Sequence, residues 1–536
     1  NVSFVDNEAT TTGGALCINS NDITVTGSEF INNSAPIGGA VYLNADNAQF
    51  IDSQFVENNA TKGGAVYIGP TGAGSKGVNA QFDNVTFDSN FAIEDGGAIY
   101  WNAASGSVTD SEFINNTAGK YGGSAIYLST SAVGTNITNC DFNENNASST
   151  DSKYGNVFAG GAIRGQCNNV VIKDSRFDAN TATYSNGAAI LWISGNNVNI
   201  TNCNFTNNIA RIAGAVDIAD SPTNVYIEKS MFDKNKATQK AGALFISSIS
   251  TTQVSDSNFT NNSADQRAGA VELYGANTIL SKCRFVQNNA SVFGGAIFVQ
   301  ASGCKILDSS FISNNVTGAN GVGGAIAFSN SASNNIINRT NFTNNHAEKD
   351  GGAVYIYVGA TGNQIWYSRF EGNTAVNGGG VYIMSSNNPV YYSNFINNNA
   401  THNGGAAYIM YDDTSYVDWN LFDNRATESS GKVTWQTGTS PATYNIYQCT
   451  FDDNHDYLIN ITYVLDGINT VITVNVPKDA EGEVTILIYN ADNQLVNQTT
   501  VPINGGKAVY DYENQESGTF RVVASLENSE FLYKQN

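Results

Sequence analysis

A phenylalanine followed three residues later by asparagine, usually by alanine at five and by a glycine pair near nine, recurs along almost the whole chain. Phe30-Ile-Asn-Asn33-Ser-Ala35 with Gly38-Gly39 is one copy, and Phe285-Val-Gln-Asn288-Asn-Ala290 with Gly294-Gly295 is another. The phenylalanines stand at 4, 30, 55, 87, 113, 142, 177, 205, 232, 259, 285, 311, 342, 370, 395, 422 and 451. Seventeen copies span 447 residues at a mean interval near 28, and the longest interval, Phe142 to Phe177, carries extra residues around Ser148 to Asn156. Self-similarity at this period implies an array in which each unit buries its apolar face only against its neighbours.

The pattern inside a unit selects the kind of array. Two residues before the phenylalanine stands mostly Ser or Cys (Ser53, Ser111, Cys140, Ser175, Cys203), and the residue between is usually polar (Gln54, Glu112, Arg176). That alternation has a period of two, so it describes a short strand with Phe and Ser/Cys inside. Apolar pairs further upstream, such as Val198 with Ile200 and Val225 with Ile227, make a second strand. Ala-Val-Tyr-Ile and its variants after the glycines make a third. No helical period occurs.

Three strands and three corners per unit describe one rung of a parallel β-helix of about 17 rungs, with equivalent residues stacked at about 4.8 Å. The expected inner ladders run through Phe30 and Asn33, Phe55 and Asn58, Phe113 and Asn116, Phe205 and Asn208, Phe285 and Asn288, and Phe395 and Asn398. Asparagine at this place suits a left-handed corner, and its amide can bond the same amide above and below. The rung of Phe422 departs from the pattern, with Arg425 at the expected position and Asn424 one earlier.

Near residue 460 the repeat stops. The remaining stretch alternates as strands, among them Val471–Val476, Val484–Tyr489 and Thr519–Ala524, with a hairpin turn expected at Asn504-Gly505-Gly506. Residues 1–459 therefore read as a β-helix domain, and 460–536 as a small immunoglobulin-like β-sandwich without a marker Cys or Trp.

Charge narrows the partners. A formal charge of −22, from 25 basic against 47 acidic residues with no basic block, argues against nucleic acid. No cofactor is implied, although an acidic surface is compatible with a bound divalent cation such as calcium. Seven cysteines with no CxxC read as buried small apolar residues and do not suggest a zinc or disulfide framework. No run of eighteen apolar residues would span a bilayer, and the first residues are not those of a signal segment, so the chain reads as a piece of a longer protein.

The FxxN and GGA[ILV] units are similar to the repeats of the chlamydial polymorphic membrane proteins. The chain resembles still more closely the adhesin-like surface proteins of methanogenic archaea, in which such rungs precede immunoglobulin-like modules. The tail segments Val476-Pro-Lys-Asp-Ala-Glu-Gly482, Asn504-Gly-Gly-Lys-Ala508 and Ser517-Gly-Thr-Phe520 carry the second likeness. The resemblance implies a right-handed coil, in keeping with the usual chirality of parallel crossovers. It also implies an extracellular, cell-surface or cell-wall location, and partners among the surface proteins or glycans of other cells, further wall proteins or other copies of the chain.

The third strand supplies the candidate binding row, because its middle residue faces away from the core. Tyrosines 42, 67, 100 and 127 form one outward ladder and Tyr355, Tyr382 and Tyr408 another; each is expected to offer rings to sugars or to a partner protein. The alternative is that stacked tyrosines only stabilise their sheet. Between them lie Arg164, Asp217 and Glu272, the two carboxylates two rungs apart. That spacing is wide for an inverting glycosidase pair, and no base, metal cluster or substrate clamp stands beside it. Sequons at Asn59, Asn84, Asn115, Asn289, Asn341 and Asn399 are candidate glycosylation sites. The reading is a non-catalytic adhesin or stalk. The competing classes are a self-associating wall or filament component and a polysaccharide lyase or hydrolase.

Overall fold

The structure is a computed structural model that describes residues 1–410 except 72–73, 75, 149–159 and 248–250, and beyond 410 chiefly the strands between 416 and 534. Every regular element among those described is a strand.

The chain coils as a right-handed parallel β-solenoid, with about 14 turns between Phe4 and Phe395. Seventeen rungs is thus an overcount of the regular part. Each rung contributes four strands, not three. In the rung of Phe55 these are Gln49–Ile51, Gln54–Val56, Asn59–Lys62 and Val66–Ile68. They belong to four sheets, which we call the upstream, phenylalanine, asparagine and glycine sheets, of 16, 17, 15 and 16 strands. The asparagine sheet escapes a sequence reading because several of its strands have two residues and only a small alanine turns inward, as in Thr117–Ala118.

Register between rungs is residue for residue: Phe30 pairs with Phe55, and Phe87 with both Phe55 and Phe113. From Phe4 to Phe395 fifteen rings make one column, with neighbouring centroids 4.6–5.0 Å apart and nearly parallel planes. From Phe30 onward every ring in this column is fully buried. The irregular late rung is a shift of one residue, since the backbone sets Leu421, not Phe422, opposite both Phe395 and Phe451. Counted from Leu421, Asn424 stands at its expected place.

Beside the phenylalanines runs a column of buried asparagine amides. Asn58 Nδ2 donates to Asn90 Oδ1 at 2.9 Å and to the Phe30 carbonyl at 2.9 Å, and the Asn58 backbone N–H donates to the same Oδ1 at 3.0 Å. The arrangement repeats from Asn7 to Asn398, where Asn398 Nδ2 donates to Asn424 Oδ1 at 2.8 Å. The left-handed corner, however, is not at this asparagine. Positive φ falls on the residue before it, as at Asn32 (53°), Glu57 (55°) and Asn207 (55°). The asparagine is therefore held for its side-chain bonds, which satisfy a buried corner where the sheet ladder breaks.

The glycine pair divides two tasks. Gly63 takes φ +64°, and Gly64 lies so close to the next rung that a Cβ there would collide with the Gly97 carbonyl. Outside the solenoid, strands Asn460–Asp466, Asn469–Asn475 and Lys507–Glu513 form one antiparallel sheet. Leu495–Pro502, Glu483–Tyr489, Arg521–Leu526 and Leu532–Lys534 form another. The Asn504-Gly-Gly turn joins strands of different sheets and so is not a hairpin within one sheet.

Because Asn208 accepts from Asn180 and donates to Phe177 O and Asn235, Asn208→Ala removes two buried acceptor contacts and two donor contacts at once. A loss of about 3 kcal/mol or more is expected in urea unfolding followed by circular dichroism. An equal change for the exposed neighbour, Asn207→Ala, would contradict the assignment.

Candidate functional site

The middle residue of each glycine-sheet strand turns away from the core, and the resulting row is in register from Cys17 and Tyr42 through Tyr408. Within it Tyr67, Tyr100 and Tyr127 stack at 4.7 and 4.8 Å, and Tyr382 and Tyr408 at 4.9 Å. The row is nevertheless mostly covered, so it is not the fully open face that alternation alone suggests. Tyr42, Tyr67, Tyr127, Tyr355 and Tyr382 are each less than a tenth exposed, and Tyr100 and Tyr408 are half-buried.

Side chains from both flanks cover these rings. Lys62, at the end of the asparagine-sheet strand, lies 5.3 Å from the Tyr100 centroid. On the other flank Tyr355 and Tyr382 donate to Met384 Sδ and Met410 Sδ at 2.7 and 3.3 Å. Burial pushes the Tyr67 phenol up to about 12, as expected of a hydroxyl kept from water. The ladders Tyr42–Tyr127 and Tyr355–Tyr408 thus stack along one flank of the coil with most of their ring surface covered.

The middle of the row is charged and equally closed. Glu272 is fully buried and receives Arg267 Nε and Nη2 at 3.2 and 3.1 Å, while Lys240 Nζ approaches it at 3.5 Å and lies 4.1 Å from the Phe245 ring centroid. Asp217 is also fully buried, and neither of its carboxylate oxygens has a hydrogen-bond partner among the described residues. Burial holds its carboxyl at about 7, against the opposing pull of Asn186, Lys240 and Arg211. Asp95, likewise buried, is pushed by burial to about 6 despite Arg164 and Lys62. Arg164 lies 4.9 Å from the Tyr127 ring centroid. A carboxylate pair without exposed surface cannot reach a glycosidic bond, so Asp217 and Glu272 do not form the inverting pair their spacing suggested.

No group of three or more His, Cys, Asp or Glu side chains among the described residues is arranged to hold a metal ion. Of the cysteines, Cys140, Cys167, Cys203, Cys283 and Cys304 are buried, and burial pushes the Cys203 thiol up to about 12. Cys17 is exposed, against the expectation that all would be inside. All six sequon asparagines are exposed, but Asn84 and Asn115 already donate their amides to Asp52 and Ser89 of the preceding rung.

Sequence reasoning passed over one open feature. At the corner before Phe370 and Phe395, successive rungs carry Trp366-Tyr367 and Tyr391-Tyr392. Tyr367 and Tyr392 are 55% and 39% exposed and stack at 4.9 Å. The available signal was composition at a fixed rung position, since other rungs place Asp52, Asp110 or Asn202 where these tyrosines stand.

A family model described as the right handed beta helix region matches residues 188–366, and one for the Chlamydia polymorphic membrane protein repeat matches 84–100. With the strand register these define the class, a right-handed parallel β-solenoid repeat protein. No curated protein matches the chain. Among solved structures it is similar to a tailspike protein mutant of E. coli bacteriophage HK620 in complex with pentasaccharide, at 11% identity and TM-score 0.36, covering 97% of this chain and 84% of that one. It is also similar to the DFA-IIIase of Arthrobacter chlorophenolicus, at 11% identity and TM-score 0.35, covering 63% of this chain and 83% of that one. A tailspike of Acinetobacter baumannii bacteriophage Fri1, a capsular polysaccharide depolymerase, matches at 14% identity and TM-score 0.19, over 86% of this chain and 72% of that one. At these scores no residue of this chain is matched to a residue of theirs.

The buried acid yields a signed pH dependence. The Asp217 carboxyl is raised from 3.8 to about 7, so folding is increasingly penalised as pH rises between those values. Asp217→Asn is expected to stabilise the chain at pH 8 by up to about 4 kcal/mol and to be nearly neutral at pH 4. Thermal unfolding of both proteins at the two pH values checks this, and destabilisation at pH 8 would show that the ionised carboxylate is paired.

Proposed function

We propose that the chain is the presenting part of a non-catalytic extracellular surface protein, an adhesin or stalk that holds a long, stiff surface towards glycans or proteins of other cells. The observation that carries this reading is how the side chains are used. Phe, Asn and Ser/Cys columns fill the inside, and the outward row of the glycine sheet, with its tyrosine ladders, Asp217 and Glu272, is itself largely covered. Recognition is left to the exposed outer positions, which vary from rung to rung. On the phenylalanine sheet these read Glu112, Asp141, Arg176, Asn204 and Met231 in consecutive rungs. A scaffold that is constant inside and variable outside suits several modest contacts acting together.

The match to the Chlamydia polymorphic membrane protein repeat supports a surface location. The two antiparallel sheets after residue 460 are read as an immunoglobulin-like module in the same extracellular setting. Neighbours that bind or cleave polysaccharides share the β-helix architecture only, and architecture alone does not assign chemistry.

Incubating the chain with pectin, alginate and bacterial capsular polysaccharide is expected to release no reducing ends, while beads coated with it retain cells that uncoated beads do not. Reducing-end release that persists after repurification, and is abolished by one carboxylate substitution, would replace the adhesin reading with an enzymatic one.

A further inference from the structure

The corner three residues before each phenylalanine requires a left-handed backbone. Asp52, Asp110, Asn202 and Asp308 adopt it with φ of 50°, 49°, 53° and 49°. Asn and Asp tolerate this conformation because their short side chains bond locally, and Lys229, Lys282 and Arg339 also adopt it, at 49°, 52° and 49°, with exposed flexible side chains. Tyr367 and Tyr392 occupy the same corner at φ 48° and 50°, in adjacent rungs. Both rings are also turned to solvent. Backbone strain and solvent-exposed rings each work against folding, and mutual stacking offsets them only in part.

The neighbouring rings do not close into a ladder like the one at Tyr67 and Tyr100, whose planes differ by 3°. Trp366 is tilted 41° from Tyr391 at 4.3 Å, and 29° from Tyr392 at 6.1 Å, so the group splays and leaves ring surface open. Planar hydrogen-bonding heads stand at neighbouring positions of the same and the preceding rungs. Gln364 accepts from the Trp366 indole at 3.0 Å, Arg369 pairs with Glu371 at 3.0 Å, and on the rung before, Arg339 pairs with Asp308.

We propose that Trp366, Tyr367, Tyr391 and Tyr392 form a glycan-binding subsite that takes two successive pyranose rings of an extended neutral chain. The assignment rests on the surface-binding reading above and deepens it. Rings flanked by planar polar heads suit sugars, whose faces carry C–H bonds and whose edges carry hydroxyls. Four rings on two rungs about 4.8 Å apart fall well short of the roughly 800 Å² a side that a stable protein interface takes. The rung step is also close to the repeat of an extended β-linked pyranose chain, so adjacent rungs can meet adjacent sugars.

The test titrates the intact chain with cellotetraose, chitotetraose and mannotetraose, read by tryptophan fluorescence and by saturation-transfer NMR. At least one tetrasaccharide is expected to bind. The Tyr367→Asn/Tyr392→Asn double variant, which installs the residue type that other rungs use at this corner, is expected to weaken binding at least tenfold with Tm unchanged or raised. Trp366→Ala should weaken it in the same direction.

Failure of all three tetrasaccharides to bind overturns the subsite, as does binding unchanged in the double variant. A lowered Tm with binding intact also overturns it, because the rings would then be a structural staple. Cell retention by the double variant separates the two levels of the proposal. If tetrasaccharide binding fails while coated beads still retain cells, the subsite is wrong and the surface-binding reading stands.

Discussion

The structure depends on a single constraint, that each residue of one rung lies over its equivalent in the next. Parallel pairing without slippage makes every interaction a column, so the asparagine amide that closes one corner becomes part of an unbroken chain of buried bonds. A polar group with no exposed surface is tolerated only when fully bonded, and stacking supplies the partner each time. The same rule places one phenyl ring on the next at van der Waals distance and brings the second glycine of each pair against the backbone of the following rung. A register shift of one residue in any rung would break all three columns together, and in the late rung the backbone register that sets Leu421 opposite Phe395 keeps Asn424 in its column.

The columns were legible in the sequence because stacking repeats a residue type once per rung, and Phe, Asn and paired Gly are easily recognised. The fourth strand was not, since Thr117–Ala118 and its equivalents carry no alternation long enough to read. The corner chemistry was half legible. An asparagine that bonds its copies could be inferred, but which of two adjacent residues takes positive φ could not, because Asn32 and Asn33 look alike in sequence. The tyrosine row shows the opposite limit. Its direction followed from alternation along the strand, whereas its burial follows from the height of the flanks, from Lys62, Met384 and Met410, and that is a tertiary property. At Trp366 and Tyr392 the signal was present as a departure from the consensus, but a reading built on what repeats discards what does not.

Functional chemistry in a solenoid is therefore more readily sought among the exceptions than among the repeats. Asp217 breaks the row by fully burying an acid beside Asn186, Lys240 and Arg211, and Glu272 breaks it with two cations drawn inward. Both are enclosed, so their influence falls on stability. Tyr367 and Tyr392 differ from the other corners in carrying exposed, stacked rings on the outside, where an exception can meet a ligand.

The asparagine column has a direction. In every link the amide nitrogen of the earlier rung donates to the carbonyl of the later one, from Asn7 onward to Asn424, with no reversal. The side-chain dipoles consequently align along the long axis, and neighbouring links polarise one another in the same sense. The coil is thus electrically unsymmetrical end to end, like a stack of small magnets laid one way, and any addition that continued the column would have to join head to tail.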